Sequence, residues 1–168
     1  MGNRSMLQGR DYEDFHVGDV YEHPYGRTIT DADNIWFTNL TLNTNRVHFD
    51  YAYAAQTEFG KPLVNSTFTL ALVTGLSVID ISENAFANLG WDNVRLPNPV
   101  FVGDTLYAES EVLEKRESRS RPNVGIVRFR TLGYKQDGTV VIEYERTVML
   151  YTRGASPRRA RPRPKAAG

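Results

Sequence analysis

The chain contains no cysteine. That absence removes disulfide scaffolds, thiolate nucleophiles and Cys-ligated zinc or iron–sulfur centres together. Histidine is scarce, at three residues, and the sequence has no paired-His metal motif, glycine-rich phosphate loop or Gly-x-Ser-x-Gly elbow, so no metal site is expected. Long apolar runs are lacking as well. The most apolar window, Phe68 to Ile79, is interrupted by Thr, Gly and Ser and is too short to span a bilayer, and Met1 to Arg10 has no stretch resembling a signal peptide. A soluble, cytoplasmic protein without a membrane partner is the expectation.

What is present suffices for one folded domain. The 168 residues are 40% apolar, with nine Tyr, eight Phe and two Trp to fill a core. The net charge of zero conceals an asymmetry: residues 153–168 hold six of the 20 basic side chains and no acidic one, leaving an acidic body over residues 1–152. An acidic body offers no footprint for nucleic acid. The segment 153–168, with three prolines among its arginines, is expected to be a disordered tail, read as a solubilising extension in preference to an arm for an anionic partner.

The order of elements is strand, helices, then strands. Gly18 to Thr30 reads as an N-terminal strand, and Thr30-Asp31-Ala32-Asp33 fits a capping box opening a helix over about 31–42, with Trp36, Phe37 and Leu40 on one face. Asp50 can cap a second short helix through Phe59, ended by Gly60 and Pro62. From Ser66 to about Ile79 a third helix is apolar on nearly all sides, the pattern of a buried helix. Beyond Trp91 the period becomes two, in three runs around 106–112, 125–130 and 140–150. Turns fall at Pro97-Asn98-Pro99, Gly103-Asp104, Arg121-Pro122-Asn123 and Asp137-Gly138, the last the strongest hairpin signal. The fold class is α+β, with an antiparallel sheet wrapped around one long buried helix. A free strand edge makes a homodimer the default.

His16 and His23 lie in a polar, loop-like N-terminal stretch and have little claim to a role. His48 is different, because it closes the run Asn43-Thr44-Asn45-Arg46-Val47-His48, dense in hydrogen-bonding groups and placed just ahead of the third helix. Taken alone it is either a hydrogen-bonded loop histidine or a general base. The run Asn43 to His48, then Phe49-Asp50, Phe59-Gly60, Pro62-Leu63-Val64-Asn65 and the third helix, resembles the signature of MaoC-like hydratases of the hot-dog fold. Their motif runs Asp-x-Asn-Pro-x-His, a short helix, Phe-Gly-x-Pro and the central helix. The later Pro99-Val100 and Gly103-Asp104-Thr105-Leu106 resemble that family's turn into a strand, and the likeness spans about residues 15–151. Within the family the chain is most similar to short single-domain itaconyl-CoA and mesaconyl-CoA hydratases.

The resemblance implies addition of water to, or its removal from, a 2-enoyl thioester of coenzyme A, in a homodimer with its site at the subunit interface. Coenzyme A enters as part of the substrate, and no separate cofactor is implied. Such a reaction needs a base near the β-carbon and donors for the enolate oxygen. By similarity His48 supplies the base and Asn43 stands where the family has the partner carboxylate. The N-terminus of the third helix, around Asn65, Ser66 and Thr67, supplies the oxyanion donors. Asn45 and Arg46 complete the substrate-facing run. Two residues depart from the motif, since Asn43 replaces the carboxylate and Arg46 the proline. An amide cannot accept the proton of water, so His48 acts alone or with another carboxylate, Asp50 and Asp33 being nearest in sequence and both also read as helix caps. Arg46 is either a solvated charge or a clamp for a carboxylate on the acyl group. The basic run Lys115 to Arg121, with Arg116, Ser118 and Arg121, is either a solvated hairpin end or a contact for coenzyme A phosphates. A non-catalytic acyl-CoA binding protein and a hot-dog thioesterase are the rival readings.

Overall fold

The computed structural model describes residues 9–157. In chain order it contains β1 (Val20–Glu22), β2 (Arg27–Thr28), α1 (Asp31–Leu40), α2 (Tyr51–Ala54), α3 (Ser66–Ile81), β3 (Ala85–Arg95), β4 (Thr105–Glu117), β5 (Val124–Lys135) and β6 (Val140–Tyr151). Single 3₁₀ turns occur at Tyr12–Asp14 and Arg46–His48. All six strands form one antiparallel sheet in the order β1-β4-β5-β6-β3, with β2 also paired to β4. The Asp137-Gly138 turn joins β5 to β6 because glycine accepts its φ of +84° without a Cβ clash, while the Asp137 carboxylate takes the Thr139 amide at 2.9 Å.

The sheet holds α3 by close approach. Val73 and Leu76 pack with Leu106, Ala108, Ile142 and Tyr144 in one apolar cluster. Under them Gly133 leaves the room they need: a Cβ there would stand 2.6 Å from both Val73 and Ile142 methyl carbons. A second cluster, of Tyr12, Phe15, Val112, Val127, Phe129 and Leu150, closes the other end of the sheet.

Several expectations change at this level. Only one face of α3 is buried within a single chain, through Thr69, Val73, Leu76, Ser77 and Ile81. Its outer face, with Phe68, Leu72, Gly75 and Ile79, lines an open groove of about 960 Å³, because the sheet covers α3 from one side only. The second helix ends at Ala54 and not near Phe59, giving way to turns ahead of Gly60. In α1 the expected polarity is reversed: Trp36 and Leu40 are 71% and 73% exposed, whereas Asn34 and Thr38 are buried. The inner face of α1 meets backbone with free carbonyls and amides, and side-chain amides and hydroxyls satisfy these where apolar groups would strand them. Arg153, read as the first residue of the tail, is tied to the body through the Asp14 carboxylate and by its amide to Glu13 at 2.9 Å. Residues 158–168 of that tail lie outside the described residues. No helix of the described residues is long and apolar enough to cross a membrane.

His23 is also not the loop residue expected. Its buried ring bridges Asp80 on α3 at 2.9 Å through Nδ1 and Ser110 on β4 at 2.9 Å through Nε2, and Asp80 is held in turn by Arg10 at 2.8 Å. Burial pushes the imidazole below its ordinary value of 6.5, against the opposing pull of Asp80. A histidine whose folded pKa is depressed favours folding above the unfolded value and opposes it below, since the unfolded chain then binds the extra proton. Stability is therefore expected to fall as pH drops below about 6.5, by up to about 1.4 kcal/mol per pH unit. Urea unfolding across that range should show this slope in the wild type and a flatter one in His23→Gln.

Candidate active site

The run from Asn43 to His48 bonds to itself. Asn43 Oδ1 accepts the Asn45 amide at 3.0 Å, and Asn45 Oδ1 accepts the Val47 amide at 3.2 Å, which winds Arg46–His48 into its 3₁₀ turn. The turn presents the half-buried His48 ring to a cleft of about 590 Å³, together with Asn45, Tyr53, Ser66 and Thr69. Its far wall is Leu96 to Val100, drawn in by the Val64 amide bonding the Val100 carbonyl at 2.9 Å. This is the smaller of the two large concavities and the one that holds His48, which the groove on the outer face of α3 does not include.

One contact fixes the histidine's tautomer. His48 Nδ1 lies 3.0 Å from the Leu63 carbonyl. A carbonyl only accepts, so in the neutral ring Nδ1 carries the proton and Nε2 keeps the lone pair. Beside it α3 begins. Asn65 caps the helix, its Oδ1 accepting from Thr67 N at 3.0 Å and Thr67 Oγ1 at 2.6 Å, and the first ladder bond runs from Thr69 N to Asn65 O at 3.1 Å. The Ser66 amide precedes that first bond and belongs to a residue of the cleft wall. Thr67, expected as an oxyanion donor, has its amide occupied by the cap.

Asn34 was not singled out from the sequence, yet it joins these pieces. Buried at 1% exposure, it donates from Nδ2 to the carbonyls of His48 at 2.8 Å and Leu63 at 3.0 Å, and accepts the Asn65 amide at 2.8 Å on Oδ1. Thr38, one turn on, takes Asn65 Nδ2 at 3.2 Å. The available signal was Asn34 and Thr38 at i and i+4 on α1, a polar stripe opposite Trp36 and Leu40.

The remaining residues sort by position. Asn43 stands beside the turn but does not line the cleft, its side-chain oxygen serving the Asn45 amide. Arg46 turns outward, bonding Asp50 through Nε at 2.8 Å and stacking over Tyr53 at 4.9 Å, so the carboxylate clamp is not assembled within one chain. Asp50 accepts the Tyr53 amide at 2.9 Å, and that bond with the Arg46 contact holds its carboxyl below the usual range. Asp33 is held far below it, chiefly by Arg27. Both are committed as caps, and no carboxylate bonds the His48 ring among the described residues. Arg116, Ser118 and Arg121 sit at the β4–β5 hairpin, at the other end of β4 from the Leu63–Phe101 bridge, about 40 Å away along the strand. There Ser118 Oγ takes the Arg121 amide at 3.2 Å and Arg121 stacks on Phe86 at 5.0 Å, so the run is not brought to His48 within the chain. No cluster of metal-ligating side chains is present among the described residues.

An antiparallel sheet carrying one long helix, with a histidine cleft at that helix's N-terminus, defines a MaoC-like domain of the hot-dog fold. A dehydratase domain protein of this class from Chloroflexus aurantiacus superposes with a TM-score of 0.84 at 29% identity, covering 99% of this chain and 47% of the other. Residues 3–160 match the family profile of mesaconyl-CoA hydratase, and the chain belongs to that family. It is 35% identical to the mesaconyl-CoA hydratase of Cereibacter sphaeroides over 161 residues, 95% of this chain and 47% of that one. It is 32% identical over 114 residues to the (R)-specific enoyl-CoA hydratase of Aeromonas caviae, 68% of this chain and 81% of that one. The chain thus spans about half the length of its mesaconyl-CoA hydratase relative.

Replacing Asn65 removes a cap and a buried hydrogen bond at once. Asn65→Ala should cost about 2 kcal/mol in urea unfolding, and Asn65→Asp, which keeps the cap oxygen, distinctly less.

Proposed function

We propose that the chain hydrates, or dehydrates to, a 2-enoyl-CoA thioester, with His48 as its acid–base group. The observation that carries this reading is the His48–Leu63 contact, which leaves Nε2 a free base in a cleft that also holds the first turn of α3. Water is deprotonated by Nε2 as its oxygen bonds the β-carbon. Charge then passes to the thioester oxygen, which the Ser66 amide and the positive end of α3 are suited to meet. The imidazolium returns the proton to the α-carbon, so protons balance on one residue and no cofactor enters beyond the coenzyme A of the substrate. The reverse sequence is the dehydration.

The same reading includes a homodimer. β3 pairs only with β6 among the described residues and exposes Phe86, Leu89, Trp91 and Val94 along a free edge, which a second copy would cover. Light scattering after gel filtration should return twice the chain mass. A cytoplasmic setting belongs to the proposal too, carried by the sequence's lack of an apolar span. One observation favours a non-catalytic acyl-CoA binding protein instead, namely that Asn43 supplies no carboxylate and no Asp or Glu lines the cleft among the described residues.

Loss of enoyl-thioester absorbance with crotonyl- and mesaconyl-CoA, read beside a thiol probe, separates these readings. Hydration predicts loss without thiol release, abolished in His48→Ala with the fold intact. Binding without turnover would support the carrier, and thiol release the thioesterase. Asn43→Asp keeps the oxygen that takes the Asn45 amide and adds a proton acceptor beside the turn. It should retain or raise turnover of crotonyl-CoA, whereas a large loss would give Asn43 a role of its own.

A further inference from the structure

The buried amide of Asn34 reaches the site without entering it. It makes three hydrogen bonds to three pieces of backbone: the His48 carbonyl, the Leu63 carbonyl and the Asn65 amide. The Leu63 carbonyl is the same group that receives His48 Nδ1–H. Both its lone pairs are therefore in use, one on the imidazole and one on Asn34, and the direction of the second bond sets the direction of the first. The His48 main chain is held from its other side by the same Nδ2, and Asn65, which caps α3, by Oδ1.

From this geometry we infer that Asn34 is a positioning residue for His48 and for the oxyanion end of α3, an inference that rests on the hydratase reading. It is buried and does not line the cleft. It fixes the azimuth of the imidazole, keeps the Nδ1–H tautomer in place and holds the distance between Nε2 and the first turn of α3. Addition of water needs these two groups registered on the β-carbon and the thioester oxygen of one substrate, a relation sensitive to shifts of about 1 Å. Packing alone does not explain the choice of residue. The site requires two donors and one acceptor from one short side chain, which Asn provides and an apolar or carboxylate side chain does not.

The test uses Asn34→Ala and the isosteric Asn34→Asp in the full chain. The Asp variant keeps the acceptor for Asn65 N–H and loses both donors, so it answers the question should the Ala variant fail to fold. Folded variants are expected to lose on the order of 100-fold in kcat on crotonyl-CoA with KM changed less than about threefold. The ¹⁵N resonances of His48 should move from a single Nδ1–H pattern toward a mixture of both tautomers. Wild-type kcat with an unchanged tautomer would overturn the inference, as would a loss of activity that only tracks the unfolded fraction. Should the wild type hydrate no enoyl-CoA, the hydratase reading fails by itself. The tautomer comparison then decides the role of Asn34 alone.

Discussion

The backbone from Leu63 to Asn65 serves several masters at once. Leu63 takes an imidazole N–H and an amide N–H on one carbonyl, its own amide bonds the Val47 carbonyl at 3.1 Å, and Asn65 opens the long helix two residues on. Each of these groups is buried or half-buried, so leaving any one unpaired costs roughly 1–3 kcal/mol. The chain must therefore pass this point in one conformation. That constraint locks the histidine turn, α1 and the start of α3 into a single unit, and the cleft is the space the unit leaves.

The rest of the fold supplies the anvil. Gly133 lets α3 sit close on the sheet through Val73, and Tyr144 reaches Thr74 at 3.2 Å, so the helix cannot slide along the strands without opening a void or breaking that half-buried bond. A helix held in this way presents its first turn at a fixed height above the histidine loop. Polar groups do the joining and apolar groups the seating, a division of labour visible in α1, which turns Trp36 and Leu40 outward and Asn34 and Thr38 inward, and sets Phe37 against Phe68.

Membership of the mesaconyl-CoA hydratase family meets a site that departs from the expected motif at Asn43 and Arg46. In the folded chain these two departures have ordinary structural work: Asn43 closes a turn and Arg46 pairs with Asp50 over Tyr53. Neither leaves the histidine without support, because its second nitrogen is held by backbone and not by a carboxylate. On the proposed hydratase reading, the acid–base burden falls on one imidazole.

The sequence alone determined the order of the helices and of the last three strands, the hairpin at Asp137-Gly138, the caps at Thr30 and Asp50 and the singular position of His48, because these are local matters of period, turn chemistry and spacing, whereas β3 was not legible as a strand. It also carried the run around His48 that resembles the family's motif. Burial could not be read in the same way. Whether Trp36 or Asn34 faces inward depends on what α1 packs against, and that surface is backbone contributed from 14 to 31 residues further along the chain. The fate of His23 and the basic hairpin was decided likewise, by partners that only folding brings within hydrogen-bonding distance or carries to the far end of a long strand. Hydrogen bonding and desolvation act over a few ångströms in space, and local sequence patterns do not report which distant groups will meet.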